Sequence, residues 1–171
     1  MKKITIVLAF IGMIMLQGCT VNEDNTNNID NDTISEVWEY SNNVNFLFSN
    51  NYTSTLFFPH PTFNSDMILL YRLDRIVNGQ DIWKIMPQTF YFNDGTLDFR
   101  YDFDFTNTKA VVYLEGFDLE GISLAFRTNQ VIRVVVLPGF FGKNNKIDFK
   151  DYKAVVKAFN IDESKIIKVQ Q

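Results

Sequence analysis

The most regular stretch of this chain is Leu97, Phe99, Tyr101, Phe103 and Phe105 alternating with Asp98, Arg100, Asp102 and Asp104. Successive side chains of a strand point to opposite faces, so the segment carries one aromatic face for a core and one charged face for water. The same period runs less regularly from Glu36 over about a hundred residues. It predicts further strands at Val37–Phe48, Tyr52–Phe58, Met67–Val77, Ile82–Phe92, Ala110–Glu115 and Gln130–Leu137. The last is so rich in Val that it reads as buried on both faces. Asn93-Asp94-Gly95 supplies positive-φ residues for a tight hairpin joining Ile82–Phe92 to Leu97–Phe105, and Asn78-Gly79 marks another turn after Met67–Val77. About seven short strands with frequent turn signals and no helix between them predict a mainly β fold, an antiparallel β-sandwich.

One helix is predicted after the strands, and with it the period changes. Tyr152, Val155, Val156 and Phe159 fall at i, i+3, i+4 and i+7, with Lys150, Lys153 and Lys157 on other faces. Asp148 is placed to cap it, with Asp151 at the third helical position. Asn160 suits the left-handed position after the last turn, and Ile161–Val169 reads as a turn and a short terminal strand. A stripe of this kind is core packing.

The opening residues follow another pattern. Lys2 and Lys3 precede a charge-free, apolar stretch from Ile4 to Leu16, the charged n-region and hydrophobic h-region of a secretory signal. It is too short for a membrane span, which needs about 20 residues. Leu16-Gln17-Gly18-Cys19 resembles the lipobox of bacterial lipoproteins. That resemblance implies removal of residues 1–18 and acylation of Cys19 on its thiol and its new amino group. Several acyl chains on one residue hold far more firmly than a single myristoyl group, so attachment is expected through lipid alone. Residues 19–35 then form the lipidated cysteine and its tether, and 36–171 the β domain. Thr20–Ser35 holds five Asn, three Asp and one Glu, a composition that stays solvated and spans roughly 20–25 Å as a flexible coil. Thr20, in place of the Asp tied to inner-membrane retention in enterobacteria, points to the outer membrane. Glu23-Asp24 resembles the acidic surface-export signal of Bacteroidetes lipoproteins, and Asp32-Thr33-Ile34 resembles the O-glycosylation site of that phylum, with Thr33 as acceptor.

Composition sharpens this picture. The 171 residues include one Cys and one His. With Cys19 consumed by lipid, the domain is expected to hold no thiol nucleophile, cysteine metal site or redox pair. Cleavage removes Lys2 and Lys3 from 16 basic residues, leaving 14 against 20 acidic ones and a balance of −6. Such a charge does not favour nucleic acid or anionic lipid.

The order of motifs Trp38-Glu39-Tyr40, Tyr71-Arg72-Leu73, Asp81-Ile82-Trp83, Asn93-Asp94-Gly95-Thr96-Leu97, Asn129-Gln130, Arg133-Val134-Val135-Val136 and Asp151-Tyr152 is similar to that of small flavobacterial lipoproteins whose function is not known. The resemblance runs over nearly all of 38–169. Many relatives carry a collagen-like Gly-Pro stretch after the lipid cysteine where this chain has its Asn-rich tether. Some bear the name dihydrolipoamide dehydrogenase, but this chain has neither a Gly-x-Gly-x-x-Gly turn for a dinucleotide nor a cysteine pair. The family brings no catalytic residues and no cofactor.

Three sets of residues invite chemistry. His60, between Pro59 and Pro61, is the one imidazole through which a triad or a His-based metal cluster would run, yet no Gly-x-Ser-x-Gly or His-Glu-x-x-His surrounds it. A turn residue is the plainer reading. Asp98, Asp102 and Asp104 share a strand face and could ligate Ca²⁺ or form a carboxylate pair for glycoside hydrolysis, but Arg100 among them argues for cross-strand ion pairs. Trp38, Trp83 and the tyrosines could make a sugar-stacking platform or fill a core. No catalytic, cofactor or metal residue is assigned, and the expected function is a non-catalytic structural or interaction module of the cell envelope, with an unidentified envelope protein or glycan as partner. A carbohydrate- or peptide-binding lipoprotein is the alternative, and a hydrolase comes after both.

Overall fold

The computed structural model describes residues 34–139 and 147–170. The signal segment, Cys19 and the tether as far as Thr33 lie outside the described residues. Nine strands form two sheets: β1 (Glu36–Tyr40), β2 (Thr53–Phe57), β3 (Met67–Val77), β4 (Gln80–Ile85), β5 (Gln88–Tyr91), β6 (Leu97–Phe105), β7 (Lys109–Gly116), β8 (Ile132–Leu137) and β9 (Ile167–Val169). The first sheet has the order β4-β3-β8-β1-β9 and the second β2-β7-β6-β5. A short helix α1 (Leu124–Arg127) precedes β8, and α2 (Tyr152–Ala158) follows it.

The two sheets meet face to face. From the first come Trp38, Tyr40, Ile68, Leu70, Val134 and Val136, and from the second Leu56, Phe99, Tyr101, Val112 and Leu114, in one buried cluster. These are the alternate positions that period two assigns inward. The sandwich is thus as the pattern predicts, but with nine described strands rather than about seven, with α1 between β7 and β8 where no helix is predicted, and with one further layer. The other face of the first sheet is also covered: Val37, Tyr71, Trp83, Val135 and Leu137 pack against Tyr152 and Val155 of α2. This helical layer is why all six residues of β8, in the middle of that sheet, are buried.

Three predicted elements come out differently. Ile82–Phe92 is two strands in different sheets, broken at Met86-Pro87, a cis peptide bond. Proline has no N–H to continue the ladder, so the chain crosses there. The second half still pairs with β6 through the 93–95 turn, where Gly95 alone has positive φ. Val37–Phe48 stops being a strand at Tyr40. Val44 and Phe46 remain buried beyond it, held by Phe46 N–H on the Arg127 carbonyl at 2.6 Å and Gln130 N–H on the Val44 carbonyl at 3.0 Å. Asp151, not Asp148, caps α2, accepting from the N–H groups of Lys153 (2.9 Å) and Ala154 (3.2 Å). Asp148 instead closes the preceding turn, its side chain taking Lys150 N–H and its carbonyl taking Asp151 N–H. The terminal strand β9 is present and runs parallel to β1. Asn78 (φ 51°) and Gly79 (φ 76°) form the β3–β4 hairpin as expected, and Asn160 (φ 50°) is left-handed after α2.

Candidate functional site

A concavity lies beside the leading end of β1. It is an open groove of about 730 Å³, walled by Ile34 and Val37 on one side and Phe159, Ile161 and Ile166 on the other. That volume is in the range of small-molecule sites. Ser35, Glu36 and His60 supply its polar groups.

His60 reaches the groove because the chain leaving β2 is pinned on both sides of it. Phe58 N–H donates to Thr108 O and Thr62 N–H to Asn107 O. The imidazole packs edge-on to Trp38, ring centroids 5.3 Å apart, and its Nε2 lies 3.0 Å from Glu36 Oε2. The same carboxylate oxygen accepts the Trp38 indole N–H at 2.9 Å. An ionised carboxylate only accepts, so the His60 proton in this contact sits on Nε2. Nδ1 lies 3.3 Å from the Pro61 carbonyl. Among the described residues, neither of these ring-nitrogen partners is a hydroxyl, so the contacts do not form a Ser-His pair. His60 is a turn residue, as the plainer reading has it, and also a groove residue.

The acidic strand face behaves as its sequence implies. Arg100 opposes Glu115 across β6 and β7, its Nε donating to Glu115 Oε2 at 2.6 Å, and its Nη2 lies 3.3 Å from Asp102. Glu115 holds the guanidinium proton more firmly than usual. Asp102 also accepts Phe103 N–H at 2.8 Å. Desolvation first, then Asp102, Asp104 and Glu115, push the Tyr113 phenol up. Asp98, Asp102 and Asp104 spread along one strand rather than converging, and among the described residues no group of three or more His, Cys, Asp or Glu is arranged to hold a metal ion.

Trp38 is 0% exposed and Trp83 8%, so neither offers a stacking surface. Tyr40, Tyr71, Tyr101 and Tyr152 are buried too. Their hydroxyls find partners: Tyr40 donates to Phe57 O and Tyr71 to Phe149 O, each at 2.7 Å, and Tyr101 donates to Phe126 O. Burial raises all four, Tyr152 to about 12, with Arg133 opposing that rise and Glu163 adding to it. Exposed aromatic side chains lie elsewhere, among them Phe48, Phe57, Phe63 and Phe105, and a group at the far end of the second sheet: Tyr91 and Leu97 are a register pair, Phe92 follows, and Phe117 is 100% exposed next to Gly116, which opposes Phe99.

Two buried arginines were not singled out by sequence reasoning. Arg72, 3% exposed, lies in the sandwich interior with its charge on Asp74 (2.9 Å), its Nε on Gln88 (2.9 Å) and Nη1 on Gln130 (3.0 Å), 4.9 Å from the Tyr101 ring centroid. Arg133 lies under the helical layer, paired with Glu39 at 2.9 Å and Glu163 at 3.1 Å, donating to the Tyr152 hydroxyl at 2.9 Å. The available signal was parity: Arg72 shares a face with Ile68 and Leu70, and Arg133 with Val135 and Leu137. A charge at a core position needs built partners. Both have them, which makes them architectural.

No helix among the described residues is long and apolar enough to cross a membrane. Comparison with known protein families, with characterised proteins and with solved structures finds no match for this chain.

Proposed function

We propose that the chain is a lipid-anchored protein of the bacterial cell envelope whose β domain acts as a non-catalytic interaction module at the end of a polar tether. The observation that carries this reading is the position of the chain's one cysteine, directly after Leu16-Gln17-Gly18 and an apolar run headed by Lys2-Lys3. Thr20 directly after the cysteine and the acidic Glu23-Asp24 support the outer membrane as its site, with the domain outward. The geometry of the domain fits binding better than catalysis. Asp102 and Glu115 are held in ion pairs with Arg100, His60 has a carboxylate and a carbonyl as neighbours, and the groove is open and half apolar. Membrane fractionation of cells making the wild type or Cys19→Ala tests the anchor: the variant is expected in the soluble fraction, and its retention in membranes overturns the reading. Protease shaving of intact cells reports the side, and crosslinking reports the partner.

A second reading, glycan binding, has one specific observation in its favour. Tyr91, Phe92, Leu97 and Phe117 are exposed together by register at one end of the second sheet, and aromatic faces stack on the apolar faces of sugars. The other end of β6 is tied through Asn107 to Thr62, next to His60 and Glu36 where the tether joins. The patch therefore lies roughly 27 Å along the strand from that end. Retention of the wild type on immobilised polysaccharide, lost in Phe92→Ala with Phe117→Ala, is the expected result, and unchanged retention in the double variant removes this reading.

A further inference from the structure

β9 pairs with β1 only from Trp38 onward, in the register Trp38↔Ile167, Glu39↔Lys168 and Tyr40↔Val169. Just upstream, Glu36 and Val37 pair with Val136 and Val135 of β8 on one side and with no strand on the other among the described residues. Backbone groups point alternately to the two sides of a strand, so this stretch turns part of its hydrogen-bonding edge to the groove. The opposite wall stands away because residues 163–165 form a 3₁₀ turn, capped by Asp162 on Ser164 N–H at 3.1 Å, before β9 begins.

We infer that this groove receives an extended peptide, which adds to the first sheet as a strand collinear with β9. The inference rests on reading the domain as an interaction module and names the chemistry of its partner. Continuity with the β1–β9 ladder argues for a strand rather than a compact ligand: the open edge begins where an existing ladder stops, in the same sheet and on the same side. Strand addition draws affinity from main-chain hydrogen bonds and specificity from alternate side chains. Here the two sides differ. Val37 lies on the face of β1 that meets Phe159, Ile161 and Ile166, while Glu36 turns to His60 and Trp38. The peptide that fits places apolar side chains against the Phe159–Ile166 wall and polar, donor-bearing ones toward Glu36.

The test uses the full chain, ¹⁵N-labelled in detergent, titrated with acetylated and amidated pentapeptides. These carry Thr or Lys at positions 1, 3 and 5 and Val or Ile at 2 and 4. The control set is N-methylated at positions 2, 3 and 4, which removes main-chain donors from both edges while keeping the side chains. The expected result is saturable shifts at the Ser35–Val37 and Ile166–Ile167 amides, with N-methylated peptides roughly tenfold weaker or worse. Absence of shifts at millimolar peptide, equal binding of the N-methylated set, or shifts confined to other surfaces overturns the inference. Envelope crosslinks obtained without any peptide response would overturn it while leaving the interaction-module reading in place.

Discussion

The guanidinium carbon of Arg133 sits 4.1 Å from the centroid of the Trp83 ring, a cation stacked on an indole beneath a helix. Its nitrogens meanwhile serve Glu39, Glu163 and Tyr152, so one side chain joins β1, β4, β8 and the segment around α2.

Removing Arg133 leaves Glu39 with its one ion-pair partner gone in a largely buried site. Arg133→Ala is expected to cost about 3–5 kcal/mol, the usual loss when one member of a buried pair is deleted. Arg133→Met with Glu39→Gln removes both charges and should recover part of that loss. Urea denaturation of the three proteins measures it, and strict additivity of the double change would argue against the coupling.

Alkaline pH should unfold the domain by a route that its tyrosines set. Tyr40, Tyr71, Tyr101 and Tyr152 all have pKa values raised above 10 by burial, so the folded state keeps protons that the unfolded state releases. The contribution is fully present below pH 10 and is lost as pH rises, through about 12 for Tyr152. Each such tyrosine adds about 1.4 kcal/mol per pH unit to the fall. Urea midpoints from pH 9 to 11, with absorbance at 295 nm following ionisation, should show a shallower fall in Tyr101→Phe.

Two glycines separate strain from crowding. At Gly79 the φ is +76° and a Cβ would meet nothing within 4 Å, so Gly79→Ala is expected to cost about 1–2 kcal/mol through the backbone alone. At Gly116 a Cβ would lie 2.7 Å from the Asp98 carbonyl oxygen and 3.0 Å from the Phe99 Cβ, so Gly116→Ala should cost about 1–3 kcal/mol by overpacking. Hydrogen exchange distinguishes them: the first should loosen the β3–β4 hairpin and the second the β6–β7 ladder.

The start of α2 can be tested residue by residue. Asp151→Ala is expected to lower stability by about 1 kcal/mol, since two N–H groups lose their acceptor. Asp148→Ala should cost less, because its side chain serves one turn N–H outside the helix. The reverse order of losses would restore Asp148 as the cap.

Much of the architecture could be read from one-dimensional pattern. β3 and β6 have the bounds that alternation predicts, the β3–β4 hairpin sits at Asn78-Gly79, and the Val-rich β8 is buried on both faces. These features depend on neighbours in sequence, where side-chain parity and the φ preferences of Asn and Gly act directly. The acidic face of β6 was equally legible, because Arg100 among aspartates has one economical solution, a cross-strand pair.

The sequence by itself determined the two-sided strands, the turns, the helix stripe and the expectation of a signal and lipid site at Cys19. Only the tertiary structure decided the rest. Local pattern cannot say that Pro87 moves the chain between sheets, that α2 lies over the first sheet, or that Arg72 and Arg133 meet carboxylates and aromatic rings there. Nor can it say that β9 joins β1 two residues late and so leaves a groove. Each of these depends on which distant segments become neighbours, and burial, ion pairing and strand-edge exposure acquire their values only when those neighbours are in place.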